Sequence, residues 1–388
     1  MKRTNLYVIL CSISLFLVGC TQDRIEISDI ALVTATGIDY DLDKNKYVFT
    51  AYCLLPSAKS TDKTSGLSEW VASATGSSIL ESAKNLRSRA GKTLTWQHNK
   101  FILVGENAAR HSLYEILDFI TRNRQVRLTS YLFINDGNAA DVLNLKSETG
   151  DLLFNDLQGK VRNEKEWGKS ISQIIQDVAN WSINPYRGYV VGRLSTSKQS
   201  KSRDVLYFNG AAVINKDKMT DWLKGSDVLV VHLLAEKKKW NSLIFNETIP
   251  FKSNKVTLFF KVKKKFIQSN FVNGKPSIDI HLDFISTIGE ITEPLPFANP
   301  DTIDQLEQEA SKVMEQMIQK SLNHLQKELK VDVLGFSELF KQHHPHEWNR
   351  IKNNWNEIYP TIPIQTNVHV AIEKIGLIQN LGENGYVE

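Results

Sequence analysis

Residues 277–284 (SIDIHLDF) alternate apolar and polar side chains at every position. Successive side chains of a β-strand point to opposite faces of the sheet, so this alternation predicts a strand with one buried and one solvent-exposed face. The apolar members are Ile278, Ile280, Leu282 and Phe284. Such a strand needs an apolar layer against one face only, and the sequence that follows offers one.

That layer is a predicted helix from Pro300-Asp301 to about residue 330, with Asp301 as the expected N-cap. Its apolar residues recur at helical spacing: Ile303, Leu306, Ala310, Val313, Met317, Leu322, Leu325 and Leu329. At about 1.5 Å per residue this helix would be about 45 Å long, enough to brace a whole domain. Two short helical pieces and an alternating strand at 364–372 follow. Residues 205–388 are therefore predicted to form an α+β domain with one long helix.

Upstream, predicted strands and helices alternate. The expected strands are 30–38, 47–55, 93–104 and 126–134, and the expected helices are 77–90 and 107–122. This rhythm predicts a sheet covered by helices, in a mixed α/β region over residues 29–196. Turn-rich residues 150–160 leave open a division of this region into two subdomains. The fold class predicted for the whole chain is multidomain α+β of mixed α/β type.

Between the two regions, residues 195–203 (STSKQSKSR) contain no apolar side chain. Serine- and lysine-rich segments of this kind are typical of flexible linkers. We therefore expect a linker over 197–204, followed by a strand at 205–214 and a short helix at 217–223.

The N-terminus carries an export pattern, with Lys2 and Arg3 followed by an apolar run from Leu6 to Val18. This run of thirteen residues is too short to cross a bilayer, which needs about 20 in a helix, and it matches a secretory signal instead. The run ends in Leu17-Val-Gly-Cys20, which resembles the lipobox of bacterial lipoproteins. That resemblance implies a signal peptide over 1–19 and a lipidated tether over 20–28.

Cys20 would then carry an N-palmitoyl and an S-diacylglycerol group and become the mature N-terminus. Two or more acyl chains give a stable membrane anchor, whereas one chain holds only marginally. The alternative is a chance cysteine after an ordinary signal. Cleavage would leave 369 of the 388 residues and, by removing Lys2 and Arg3, lower the formal net charge from +4 to +2. So small a charge argues against a nucleic-acid partner.

The chain lacks the phosphate-binding, nucleophile-elbow and zinc-protease motifs, and we predict no catalytic residue, cofactor or metal. The best metal candidate is His343-His344-Pro345-His346-Glu347, weighed against a capped turn between two helices. His98, placed on a strand, is interpreted as a hydrogen-bonded structural histidine rather than a base. Cys53, inside an apolar run, is expected to be a buried thiol rather than a nucleophile.

Two charged groups have open interpretations. Asp39, Asp41 and Asp43 superficially match a calcium loop, but the glycine and distal glutamate of that pattern are missing, which favours a solvated turn. Lysines at 237–239, 261 and 263–265 form basic runs. Those at 261, 263 and 265 are expected to share one face of an exposed edge strand. The alternative is docking to anionic headgroups.

The order of several segments resembles the Ger(x)C spore germination lipoproteins, the C subunits of GerA-type nutrient germinant receptors. The segments are Leu17-Val-Gly-Cys20, Gly37-Ile-Asp39, 97–105 (QHNKFILVG), 117–122 (LDFITR), 209–214 (NGAAVI), 331–336 (VDVLGF), 345–348 (PHEW) and 355–360 (WNEIYP). The resemblance spans nearly the whole mature chain. It implies a multidomain mixed α/β body without enzymatic activity. It also implies a location on the outer face of the spore inner membrane and assembly with two integral-membrane subunits of the A and B types.

Among the family's functional residues, only the lipidated cysteine transfers, to Cys20. Whether this chain contacts the nutrient stays open. The competing hypothesis is a stand-alone solute-binding lipoprotein that delivers a small molecule to a transporter. Such proteins usually have two similar lobes, whereas the two predicted halves here differ in element order.

Overall fold

The computed structural model describes residues 26–56, 67–199, 203–235, 243–293, 295 and 299–374. The expected signal peptide, Cys20, most of the tether and the lysines at 237–239 lie outside these ranges. The strands are β1 (Ile30–Asp41), β2 (Lys46–Pro56), β3 (Leu67–Gly76), β4 (Thr93–Thr95), β5 (Phe101–Gly105), β6 (Tyr131–Asn135), β7 (Gln173–Ile174), β8 (Tyr189–Gln199), β9 (Arg203–Asn215), β10 (Lys218–Leu223), β11 (Ile244–Phe251), β12 (Asn254–Val272), β13 (Lys275–Ile291) and β14 (Ile364–Lys374). The helices are α1 (Ile79–Arg89), α2 (Glu106–Arg122), α3 (Ala139–Leu143), α4 (Leu153–Asn163), α5 (Ile175–Ser182), α6 (Gly225–Leu234), α7 (Pro300–Asn323), α8 (Phe336–His343), α9 (Pro345–Ile351) and α10 (Trp355–Ile358).

The first half of the chain builds a ten-stranded mixed sheet in the order β10-β9-β8-β6-β5-β1-β2-β3, with β4 beside β1 and β7 beside β6. Helices α1, α2 and α5 pack on one face and α3 and α4 on the other. The central strand β5 (FILVG) is buried at all five positions, as expected for a strand covered on both faces. The predicted sheet covered by helices is therefore confirmed.

This sheet shows no division at residues 150–160. Helix α4 begins there and buries Leu153 and Leu157 among Phe101 and Phe133 of the sheet. The first half is thus a single layered unit.

The expected linker over 197–204 is wrong where the structure describes it. Strands β8 and β9 pair antiparallel from Tyr189↔Ile214 to Gln199↔Arg203, so residues 197–199 and 203–204 belong to a β-hairpin. Ser197 and Asp204 are exposed near the hairpin tip, which explains the missing apolar residues. The segment expected as a helix at 217–223 is β10, paired with β9. The first sheet therefore continues to Leu223, and the second half begins at α6 rather than at residue 205.

Helix α6 joins the two halves through a common core. Every residue from Asp227 to Leu234 is buried, and all of them except Asp227 and His232 are apolar, as expected for a helix enclosed by packing. It packs in one cluster with Val190 and Ala211 of the first sheet and Phe245 of the second. The two halves are thus packed directly against each other.

The second half is a four-stranded sheet, β11-β12-β13-β14, covered by α7. The alternation that predicted a strand at 277–284 lies within β13, and Ile278, Ile280, Leu282 and Phe284 are all buried. The α+β prediction is confirmed here, and the long helix is confirmed as α7 followed by a π-helical turn at His324–Glu328.

Two details of α7 differ from the prediction. The N-cap is Asn299, whose side chain accepts a hydrogen bond from the Asp301 N–H at 3.0 Å. Besides Leu306 and Ala310, the buried stripe contains Met314 and Ile318, whereas Val313 and Met317 lie at its margin and are only partly buried.

Side chains of α7 also cover the free edge of β14. Val370 N–H donates to Ser311 Oγ at 3.0 Å, and Ile372 N–H donates to Glu307 Oε1 at 2.6 Å. These bonds satisfy edge groups that could otherwise pair with another chain.

A β-bulge changes the expected lysine face of β12. Val262 pairs with Phe284 and Lys264 with Asp283, so Lys263 is the extra residue. Lys261 and Lys263 are exposed, but the bulge turns Lys265 towards the protein, where its Nζ lies 3.2 Å from the Ala235 carbonyl oxygen. The prediction is therefore wrong for Lys265. Lys261 pairs with both β11 and β13, so it does not lie at a sheet edge. Within the described residues, β12 is an edge strand only beyond Lys261, where it pairs with β13 alone.

Candidate functional site

The histidine-rich segment 343–347 covers the junction of two helices, with His343 ending α8, His344 between them and Pro345 beginning α9. His344 Nε2 lies 2.7 Å from the Ser269 carbonyl oxygen and His343 Nδ1 lies 3.4 Å from Ser269 Oγ, so both rings face β12. Within the described ranges, no three His, Cys, Asp or Glu side chains come together as a metal site would require. The segment fits the interpretation of a turn that joins two helices.

The two other single-residue candidates have different outcomes. His98 lies in a 3₁₀ turn, Trp96–His98, and is exposed, so its placement on a strand was wrong. Cys53 is fully buried in β2, and burial raises the pKa of its thiol to about 12. A thiol with so high a pKa carries almost no thiolate near neutral pH, which fits the interpretation of Cys53 as a core residue.

The acidic group at 39–43 divides into two environments. Asp41 Oδ1 accepts hydrogen bonds from the Asp43 and Lys44 N–H groups, both at 3.1 Å, which is the expected solvated turn. Asp39 is buried instead, and the expectation is wrong for it. Its carboxylate accepts from the N–H groups of Ala139 (2.6 Å) and Ala140 (2.9 Å), at the start of α3. Burial raises the pKa of Asp39 to about 6.

A second buried carboxylate, Asp332, binds several groups of residues 331–360, which we call the C-terminal block. Oδ1 accepts from the N–H groups of Gly335 and Phe336, both at 2.9 Å, and Oδ2 accepts from the Ser337 N–H at 2.7 Å. The indole N–H of Trp355 approaches Oδ2 at 3.3 Å. Burial raises the pKa of Asp332, and these hydrogen bonds with the nearby Arg187 charge oppose that rise.

Arg187 connects this block to the first sheet. Its guanidinium, 6% exposed, pairs with Glu338 at 2.9 Å and donates to the Val333 carbonyl oxygen at 3.3 Å. The backbone continues the link, because Gly188 N–H donates to the Asp332 carbonyl oxygen at 3.2 Å. We call the set Arg187, Asp332 and Glu338 the polar junction. It fixes the start of β8 against the segment that enters α8, and thereby one half against the other.

Aromatic side chains surround the polar junction. Trp355 lies with its ring centroid 5.1 Å from that of Trp348 and 5.5 Å from that of Phe340. Trp348 in turn contacts Tyr186, one residue before the junction arginine, at 5.2 Å. Low-polarity surroundings strengthen the enclosed hydrogen bonds and make an unpaired group there expensive. The polar junction is therefore expected to be costly to disrupt, which suits a structural role in holding the two halves together.

A second candidate site lies where the first sheet is interrupted. Strands β4 and β5 both run parallel to β1, but residues 96–100 between them leave the sheet in a 3₁₀ turn. Beside this break, a groove of about 590 Å³ opens between α1 and α2. Trp96 and Asn99 line it, and neither the Trp96 indole N–H nor Asn99 Oδ1 has a hydrogen-bond partner in the described structure. Sequence reasoning missed this site because residues 93–104 read as one continuous strand.

No helix in the described part of the chain combines the length and apolarity that a membrane span needs.

Comparison with known proteins gives two adjoining family matches. The model described as spore germination protein N-terminal domain matches residues 23–195, and the model described as spore germination B3/GerAC like, C-terminal, matches residues 209–376. The chain belongs to the GerAC family of spore germination proteins. The family resemblance inferred from the sequence is thus confirmed.

Relatives in this family match the chain along its whole length. Spore germination protein B3 of Bacillus subtilis is 25% identical, with 97% of this chain and 100% of the relative covered. Spore germination protein KC of the same organism is 22% identical, with 98% of each covered, and GerQC of Bacillus cereus is 25% identical, with 98% and 100% covered. The crystal structure of the GerBC protein superposes with a TM-score of 0.57 at 21% identity, over 88% of this chain and 98% of that one. The mixed α+β fold is therefore shared with the GerBC structure.

Several segments that carried the family resemblance meet at the sites described above. The segment 331–336 supplies Asp332, and 345–348 and 355–360 supply Trp348 and Trp355 around the polar junction. Gly37-Ile-Asp39 packs against α3, where a Cβ on Gly37 would lie only 3.0 Å from Leu143. These segments therefore contribute packing and hydrogen bonds to the fold.

Proposed function

We propose that this chain is a non-enzymatic lipoprotein subunit of a spore nutrient germinant receptor. It is held by lipid on Cys20 at the outer face of the spore inner membrane. There it assembles with two integral-membrane subunits of the A and B types, and it is required for nutrient-triggered germination.

The observation that carries the proposal is the pair of family matches, which together take in residues 23–195 and 209–376 of one continuous chain. Relatives named as spore germination proteins match end to end, so the germination role applies to the whole architecture rather than to one module. The polar junction supports a body that docks as one unit, because it fixes the two halves against each other.

The N-terminal sequence supports the lipid anchor. Leu17-Val-Gly-Cys20 follows an apolar run too short to span a membrane, and β1 begins at Ile30. Ten residues from Cys20 to Asp29 reach at most about 35 Å when extended. An anchored Cys20 would therefore keep the folded body close to the membrane surface, within reach of integral-membrane partners.

The competing hypothesis of a stand-alone solute-binding lipoprotein has less support. The two halves differ in architecture, one a ten-stranded mixed sheet with helices on both faces and the other a four-stranded sheet under one long helix. They are also packed through a common core around α6 and linked by the polar junction. This arrangement does not resemble two similar lobes that close on a ligand.

Affinity purification from spore membranes tests the proposal. A C-terminally tagged chain should fractionate with the membrane, incorporate labelled palmitate and bring down two integral-membrane proteins. Cys20→Ala should lose the label and the anchoring, while Cys53→Ala, which removes the buried cysteine, should behave as the wild type. Palmitate labelling that survives Cys20→Ala contradicts the anchor, and purification without integral-membrane partners contradicts the subunit assignment.

A further inference from the structure

Three parallel strands of the first sheet begin along one of its edges. Strand β5 pairs parallel with β1 and with β6, so the N-terminal ends of these strands lie side by side. Backbone hydrogen bonds join the segments that lead into them. The Lys100 N–H donates to the Thr34 carbonyl oxygen at 2.9 Å, and the Tyr131 N–H donates to the Lys100 carbonyl oxygen at 2.8 Å. The chain enters the folded body at this edge, since β1 is the first strand that the structure describes.

Two segments at this edge are rich in cations and contain no Asp or Glu. Residues 87–100 run from the end of α1 to β5, and residues 122–130 run from the end of α2 to β6. Their basic side chains are Arg87, Arg89, Lys92, Lys100, Arg122, Arg124 and Arg127. Lys92 is half-buried and the others are exposed. Within the described residues, only Arg122 forms an ion pair, with Asp118 at 2.7 Å. The other six charges are therefore not neutralised by a described carboxylate.

Contacts between the two segments hold these cations in one region of the surface. Arg87 donates to Gln125 Oε1 at 3.3 Å, which joins the end of α1 to the loop before β6. Lys100 and Arg127 line one hollow of about 380 Å³, whose lining includes no Asp or Glu. We name the six cations without a carboxylate partner the basic edge: Arg87, Arg89, Lys92, Lys100, Arg124 and Arg127. Because these charges are spread along the edge rather than gathered around one pocket, they suit an extended anionic surface better than a small anion.

The chain leaves the body towards its N-terminus beside the basic edge. Lys92 Nζ donates to the Ser28 carbonyl oxygen, and Ile30 pairs with Thr93, the next residue. Residues 20–29 reach at most about 35 Å when extended. A lipid on Cys20 would therefore bring this edge of the sheet closer to the bilayer than the opposite ends of the same strands.

Exposed apolar side chains accompany the cations. Ile27, in the short turn before β1, is 71% exposed, and Leu128, in the loop before β6, is 45% exposed. Apolar side chains beside Lys and Arg are typical of surfaces that lie at the level of the lipid headgroups, where the apolar groups enter the interface and the cations contact anionic lipid. Glu26 and Asp29 are exposed before β1 and oppose this attraction, but they are outnumbered by the basic edge.

We propose that the basic edge docks on an anionic phospholipid bilayer and thereby fixes which side of the body faces the membrane. The inference rests on the proposed lipid anchor, which makes the bilayer the nearest extended anionic surface. The anchor supplies attachment, and the basic edge supplies orientation. Contacts of this kind are screened by salt, because the potential of an anionic leaflet falls off within a Debye length.

Vesicle sedimentation of the unlipidated protein tests this surface separately from the anchor. The mature chain, residues 20–388 with Cys20→Ala, contains every described element but no lipid site. It should bind vesicles of phosphatidylglycerol and phosphatidylcholine in equal parts, and the binding should weaken as salt is added. Vesicles of phosphatidylcholine alone should bind it at least about tenfold more weakly, because they lack the anionic surface that attracts each cation.

Two double variants of this chain locate the contact. Arg124→Gln with Arg127→Gln should weaken binding to the anionic vesicles at least about tenfold, since each cation near such a surface strengthens binding roughly fivefold. Lys44→Gln with Lys46→Gln removes the same charge from exposed positions at the opposite end of β1 and should leave binding unchanged.

Three results would overturn the proposal. They are no binding to the anionic vesicles, an equal loss in both double variants, and tighter binding to a DNA duplex than to the vesicles at the same salt concentration. Palmitate labelling at Cys20 is measured independently, so a failed docking surface and a failed anchor give different results.

Discussion

Replacement of Asp332 by alanine should be among the most destabilising single changes in this protein. The substitution removes the acceptor of three backbone N–H groups, at Gly335, Phe336 and Ser337, and of the Trp355 indole N–H. Each buried donor left unpaired costs about 1–3 kcal/mol. Partial relaxation of the turn and the removal of a buried carboxylate offset part of this sum. We expect a net loss of about 3–5 kcal/mol, comparable to breaking a buried ion pair.

Urea titration followed by tryptophan fluorescence measures this loss, because Trp348 and Trp355 lie beside the affected turn. Asp43→Ala, at an exposed turn, is the matched control and should change the free energy of unfolding by less than about 0.5 kcal/mol. Asp332→Asn should fall between the two, since an amide keeps one acceptor oxygen but presents an NH₂ group to the remaining donors. A loss below about 1 kcal/mol for Asp332→Ala would refute the argument that this carboxylate holds the C-terminal block together.

Three further predictions concern the first half. The pKa of Asp39 is raised from 3.8 to about 6, so the stability that its retained proton confers is present below about pH 4 and is lost as the pH rises through about 6. The loss should be about 3 kcal/mol, and Asp39→Asn should abolish this slope in urea titrations across that window. Gly105→Ala should destabilise the chain by more than about 2 kcal/mol, because the new Cβ would lie 2.1 Å from Asp39 Oδ1. Gly91→Ala, which meets no atom within 4 Å, should be nearly neutral in the same titration. The peptide that contains Cys53 should stay unmodified by iodoacetamide in the native chain and become alkylated in urea, as read by mass spectrometry, since burial raises the pKa of this thiol to about 12; alkylation under native conditions would contradict its burial.

A strand or helix that buries one face has apolar residues at a regular spacing in the sequence, and elements of this kind were predicted. The alternation at 277–284 is the inner face of β13, and the helical spacing at 300–330 became α7. The sequence did not determine which residues of α7 face the core. Met314 and Val313 are both apolar, so the pattern does not reveal which of them faces the sheet, and the structure buries Met314.

A polar composition did not by itself identify a linker between the two halves. Residues 197–199 and 203–204 of this serine- and lysine-rich stretch belong to paired strands, because backbone hydrogen bonding between β8 and β9 does not require apolar side chains. The bulge at Lys263 was equally invisible, since one extra residue in a strand leaves no signal in composition yet reverses the direction of Lys265.

The buried carboxylates could not be recognised because their partners are remote or backbone groups. Asp39 accepts hydrogen bonds from the N–H groups of Ala139 and Ala140, about a hundred residues later in the chain. The sequence around Asp39 gives no signal that predicts these partners. Asp332 binds N–H groups within five residues, but the αL glycine Gly335 that shapes this turn is an ordinary-looking residue in the sequence. The break at Trp96–Asn99 was hidden for a similar reason, because its flanks are strand-like on both sides.

The receptor-subunit proposal is tested most directly by dipicolinate release from spores that lack this chain. Spores should be challenged with nutrients and then with a trigger that bypasses nutrient receptors, beside deletion spores that express the chain again. The account predicts that the nutrient response is lost, that the bypass response is intact and that re-expression restores the nutrient response. A nutrient response that is unchanged in the deletion would contradict it.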